Sequence, residues 1–204
     1  MNHCTRIVLA LVSSAAVAMP ALASDYCATP EQARQVAAFY AASPGTMPPI
    51  AAARLRLPEA TVVSGLDAAQ TASASGSHFA EVWAAIGSWK TATFLIMKGE
   101  NVFEIASAAG RGKPSESSQY FNIEYTQPLR GHLRPDQYTS IHAVVLPREG
   151  RTTVRGIVFY GADGASVFGA YLSGDGPEPD AGELAKFDSL LQLLRSKPTP
   201  CARE

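Results

Sequence analysis

Two rhythms of hydrophobic and polar positions divide the chain. Up to residue 88 apolar residues recur at helical spacing, clearest at Phe79, Val82, Trp83 and Ile86, which fall on one face of a helix over 78–88. From Trp89 onward short β-forming runs alternate with Gly, Pro and Asn, which predicts strands at 91–98, 102–106, 120–125, 141–147, 153–160 and 166–173. Helical spacing then returns over 178–196, with Leu184, Phe187, Leu190, Leu191 and Leu194 on one side.

Ahead of these lie three short helical stretches. Thr29-Pro30-Glu31 combines a capping residue, an early proline and an acid, and opens a helix to about residue 42. Pro48-Pro49 starts a second towards Leu55, and Pro58-Glu59 a third ending near Gly65. The small polar run 68–77 reads as a linker, and 109–118, rich in Gly, Ser and Lys, as a loop. Strands in succession with helices at both ends predict an α+β fold: a large antiparallel sheet flanked by helices, with a short helical N-terminal lead-in. The expected divisions are 1–23, 24–67, 78–196 and a tail at 197–204.

The first division is expected to be an export signal. Arg6 precedes an apolar stretch from Ile7 to Ala18, and Ala21-Leu22-Ala23 fits a small-residue cleavage site. Its removal leaves Cys27 and Cys201, an even pair that an oxidising compartment is expected to join. The mature protein is thus expected in the periplasm or outside the cell, with no membrane span after cleavage. The formal net charge of −1 and the absence of a Lys/Arg cluster argue against nucleic acid as a partner.

Catalytic signatures are missing. There is no Gly-x-Ser-x-Gly elbow. The run Gly110-Arg111-Gly112-Lys113-Pro114-Ser115 lacks phosphate-loop spacing, and Asp175 to Asp180 lacks the alternating oxygen ligands of a calcium loop. Among the histidines, His78 sits at a helix start as a solvent-exposed residue, and His142 alternates with Val144 and Leu146 as a core residue would. His132 follows a glycine just before a polar turn, where a side chain can point into an open cavity.

An ordered series of motifs from Phe79 to Leu190 resembles the ChuX/HutX family of haem-utilisation proteins. The motifs are Phe79-Ala80-Glu81-Val82-Trp83 with Trp89, Val102-Phe103-Glu104, Tyr120-Phe121-Asn122-Ile123, Gly131-His132-Leu133, Val158-Phe159-Tyr160 with Asp163-Gly164, and 168–175. The resemblance implies haem binding and delivery, and often a homodimer; with no acid–base constellation evident among the residues, catalysis is not expected. Of the two histidines tied to haem in that family, one carries over to His132, while the other's place is taken by Met97, a side chain that also ligates haem iron and otherwise fills cores. Tyr120 is the secondary candidate ligand, as a phenolate. Two of the family's cations become Gly169 and Gly174, with Arg130 or Arg134 as substitutes. The expectation is a haem carrier; its rivals are an interaction protein that kept the fold and lost the ligand, and an enzyme that modifies tetrapyrroles.

Overall fold

The computed structural model describes residues 26–99, 101–173 and 177–201, so the expected export signal lies outside the described residues. The lead-in forms helices α1 (Pro30–Ala42), α2 (Pro48–Leu55) and α3 (Glu59–Ser64). Thr29 closes a capping box on α1: its hydroxyl accepts from Gln32 N–H, and the Gln32 side chain accepts from Thr29 N–H at 2.8 Å.

The segment 68–77 is not a linker. It contains strand β1 (Thr71–Ser75), paired antiparallel to β7 (Ser140–Arg148) at the sheet edge. Its Thr-Ala-Ser-Ala-Ser sequence does alternate, with Ala72 and Ala74 buried, but the alternating side chains are too small to register as a strand by hydropathy. Gly76 ends the strand against the backbone of Tyr138, where a Cβ would come within 1.8 Å of the carbonyl oxygen.

Helix α4 (Phe79–Ile86) leads into β2 (Ala92–Lys98) and β3 (Asn101–Ser107). With β8 (Arg151–Tyr160) and β9 (Ser166–Ser173) these complete a six-stranded sheet in the order β1-β7-β8-β9-β2-β3, antiparallel throughout. The supposed loop 109–118 contributes β4 (Gly112–Pro114) to a second sheet with β5 (Phe121–Ile123) and β6 (His132–Leu133). The closing helix α5 (Ala181–Arg195) begins three residues later than the pattern predicts. Asp180 caps it by accepting from Glu183 N–H at 2.9 Å, with Pro177 and Pro179 outside.

Both faces of the large sheet are covered over its central strands β7, β8 and β9. On one, Ile141, Ala143, Ile157, Phe159, Phe168 and Ala170 meet α4, α5 and the inner residues of the small sheet. Phe79 is the hub, its ring 5.1 Å from Phe121, 5.4 Å from Tyr138 and 5.5 Å from Phe159. On the other face, Val144, Leu146, Val158, Tyr160 and Tyr171 meet the lead-in helices. Tyr171 lies across two glycines: a Cβ on Gly156 would sit 2.3 Å from its ring, and one on Gly169 2.5 Å. That contact gives a packing reason for the glycine found where the related family carries a cation.

The second core encloses a carboxyl group. Glu59 accepts hydrogen bonds from Tyr160 Oη at 3.1 Å and Ser166 Oγ at 2.8 Å, which anchors α3 to β8 and β9. Burial pushes its carboxyl above the usual range, partly offset by those two bonds. Nearby, His142 is buried as expected, with Nε2 3.1 Å from Ser140 Oγ, and burial lowers its pKa from 6.5 to about 4. The Cys27–Cys201 disulfide ties the residues before α1 to the tail after α5.

Two predictions follow from these contacts. Closing a loop of 174 residues contributes up to roughly 5 kcal/mol in the chain-entropy account. Cys27→Ser with Cys201→Ser is therefore expected to lower the melting temperature by several degrees with no change in circular dichroism. The second concerns pH. A depressed histidine pKa stabilises the fold fully above 6.5, and that contribution is lost as pH falls towards 4, on the order of 3 kcal/mol for His142. Glu59 has the opposite sign, because its raised pKa favours the fold at low pH and the benefit fades as pH rises through the folded value. Urea midpoints measured from pH 4 to 8 should show His142→Gln flattening the acid limb, and Glu59→Gln gaining stability over the wild type as pH rises.

Candidate functional site

Strand β5 organises the site. Phe121 and Ile123 are buried and point into the core with Phe79 and Trp83, so Asn122 between them points outward. Its cross-strand partners are Lys113 on β4 and His132 on β6. Lys113, Asn122 and His132 thus form a row across the outer face of the small sheet. Gly112 keeps β4 close to this strand, since a Cβ there would meet the Phe121 ring at 2.2 Å.

His132, expected at a turn, lies on the short strand β6 and is exposed. Its Nδ1 is 2.7 Å from Asn122 Oδ1, and its ring meets the edge of Tyr120 with centroids 5.8 Å apart. Tyr120, 43% exposed and just outside β5, carries the Arg134 guanidinium over its ring at 5.6 Å. Arg134 is held in place by Asp136, at 2.8 Å and 2.6 Å, and by Gln119 Oε1 at 2.6 Å. The paired guanidinium holds the Asp136 carboxyl well below the usual range. Arg130 stands over Tyr125 at 5.4 Å, so it too is paired with an aromatic face. The Lys113 side chain makes no hydrogen bond or ion pair among the described residues, and neither does that of Arg111 just before β4. Beside Tyr120, a groove of about 370 Å³ runs between Pro114, Pro135 and the start of α4 at Phe79 and Ala80.

The structure brings His132 and Tyr120 together but not Met97. On β2, Phe94 and Ile96 face the core shared with the small sheet, whereas Leu95 packs towards the lead-in helices. Met97 shares the side of Leu95 and pairs with Val102. Within one chain the large sheet therefore separates Met97 from His132. Met97 does not fill a core: it is 36% exposed on a hairpin that also exposes Val102, Phe103 and Ile105.

The other histidines are placed differently. His142 is in the second core, and His78 is half-buried rather than fully exposed, 3.4 Å from Glu81 at the start of α4. Among the described residues no group of three or more His, Cys, Asp or Glu side chains is arranged to hold a metal ion. No helix of the described residues is long and apolar enough to cross a membrane. Sequence reasoning missed Asn122 and Lys113. The outward position of Asn122 was readable from the buried residues on either side of it, but its neighbour across the sheet depends on a register that no local pattern reveals.

This architecture is shared with solved proteins. A protein of Agrobacterium tumefaciens is 25% identical, superposes with a TM-score of 0.66 and is matched over 81% of this chain and 92% of its own. The haem-binding protein ChuX is 19% identical with a TM-score of 0.68, over 79% of this chain and 99% of its own. The haem oxygenase ChuS of E. coli is 13% identical with a TM-score of 0.62; the likeness covers 80% of this chain and 48% of that longer protein. No curated protein matches the sequence closely enough to count as a relative. The sequence profile described as haem utilisation ChuX/HutX matches residues 72–190, from β1 into α5. That is more than half of the chain and includes all three strands of the small sheet, and the protein belongs to the ChuX/HutX haem-utilisation family.

Proposed function

We propose that the protein is a non-catalytic haem carrier that works outside the cytoplasm and binds haem iron through His132. The observation that carries this reading is the exposed His132, with one ring nitrogen occupied by Asn122 and an aromatic wall supplied by Tyr120. The residues fit haem in kind: an accessible imidazole, an aromatic side chain for the porphyrin edge, and Lys113 as a free cation for a propionate. Bound haem would supply an iron that accepts donor side chains. Tyr120 is the second donor available within the same chain. Export is supported by the expected signal over 1–23 and by the long-range Cys27–Cys201 bridge.

A homodimer is part of the proposal. Among the described residues strand β3 pairs only with β2 and its other edge has no partner strand, and Val102 and Phe103 are more than half exposed there. Open apolar edges of this kind invite pairing with another chain. A second copy on this edge would cover those side chains, and only across such a pairing could Met97 join a haem held by His132. An oxygenase reading rests on the likeness to ChuS alone.

Haem titration of the disulfide-intact protein is expected to give a saturable Soret band, with at least a tenfold loss of affinity in His132→Ala. A flat titration of the wild type would remove haem and leave an interaction protein. Loss of the band with reductant and air, with a bilin-like spectrum in its place, would favour the oxygenase. Light scattering should report a dimer that Phe103→Lys converts to monomer; a monomeric wild type would exclude Met97 as a second ligand to the same haem.

A further inference from the structure

A histidine binds a metal through a bare ring nitrogen, so the position of its one neutral-state proton decides whether it can do so. In free imidazole side chains that proton prefers Nε2, which would block the outward edge of the ring. The contact at His132 sets the opposite arrangement. Asn122 presents its side-chain oxygen to His132 Nδ1 at 2.7 Å. An amide oxygen only accepts, so Nδ1 donates and Nε2 keeps its lone pair.

The strands make this contact hard to avoid. Asn122 and His132 are direct partners in the β5–β6 ladder, and Ile123 N–H bonds the carbonyl of Gly131 at 3.0 Å beside them. Phe121 and Ile123 are locked in the core, which directs Asn122 outward. Tyr120 stands at 61° to the imidazole and limits its rotation from the side. The ring is thus held at Nδ1 by a bond and along one flank by an aromatic edge.

We infer that Asn122 is a positioning residue that keeps the proton of His132 on Nδ1 and so presents Nε2 to iron. The inference rests on the reading of His132 as a haem ligand, but its first test needs no haem. In nitrogen-15-labelled protein without haem, held near pH 8.5, well above the ordinary imidazole range, long-range nitrogen–proton NMR reads the tautomer directly. Wild-type His132 is expected mainly as the Nδ1–H form. Asn122→Ala should revert to mainly Nε2–H, and Asn122→Asp, which keeps an acceptor in place, should retain Nδ1–H. A wild-type His132 found as Nε2–H overturns the inference whatever haem does.

The second test uses the haem complex. Outer partners of metal-bound histidines change metal affinity by about 10- to 100-fold when removed. Asn122→Ala should weaken haem binding by a factor in that range, while Asn122→Asp restores affinity and moves the iron potential to a more negative value, because a carboxylate makes the imidazole a stronger donor. Unchanged affinity and potential in both variants, with His132→Ala still abolishing the Soret band, would overturn the positioning role while leaving His132 as ligand. An unchanged band in His132→Ala would instead remove the ligand reading itself.

Discussion

The central strands β7, β8 and β9 are apolar on both faces, and the rest of the fold answers that constraint. Ile141, Ala143, Ile157 and Phe159 look one way, and Val144, Leu146, Val158 and Tyr160 the other. A sheet of this kind cannot leave one side to water, as many antiparallel sheets do. Helices α4 and α5 cover one face and the lead-in helices the other, so the lead-in is a structural half of the protein rather than an appendage. Each buried side chain of Val or Phe size contributes about 1.5–3 kcal/mol, which makes either cover a large fraction of total stability. The Cys27–Cys201 bridge then joins the lead-in to the tail that follows α5.

This division explains which parts were legible in the sequence. Long runs with large apolar side chains, such as 78–88 and 141–160, carry their period openly, and the predicted elements there match the observed ones within a few residues. Strand β1 escapes a hydropathy pattern because its alternating alanines and serines are all small, although both alanines are buried. The strands β4 and β6 have only three and two residues, too short for any period to show. They exist because β5 gives them a partner, which is tertiary information.

The candidate site was legible to a matching degree. His132 and Tyr120 were found through a family resemblance, and the structure places them in contact. Their neighbours Asn122 and Arg134 were not assigned these roles, since both act across the small sheet or its margins. Met97 was grouped with His132 by its place in the family pattern. Strand alternation separates the two: from Leu95, which packs towards the lead-in helices, one step to Ile96 changes face and a second returns Met97 to the side away from His132.

The two-sided core also bears on where a ligand can be held. Tyr171 occupies the sheet face over Gly156 and Gly169, and Glu59 is fixed beneath the lead-in by Tyr160 and Ser166. A cation restored at residue 169 would have to displace the Tyr171 ring, which is buried in the second core. A cation beside His132 must come from elsewhere, and the small sheet supplies one. Lys113 stands two strands from His132 in the same outward row, ~10 Å at ordinary strand spacing. Arg134 borders that row but is committed to Asp136, Gln119 and the Tyr120 face. The packing that seals the lead-in against the large sheet thus excludes a cation at residue 169, while Lys113 places one on the surface that also presents His132.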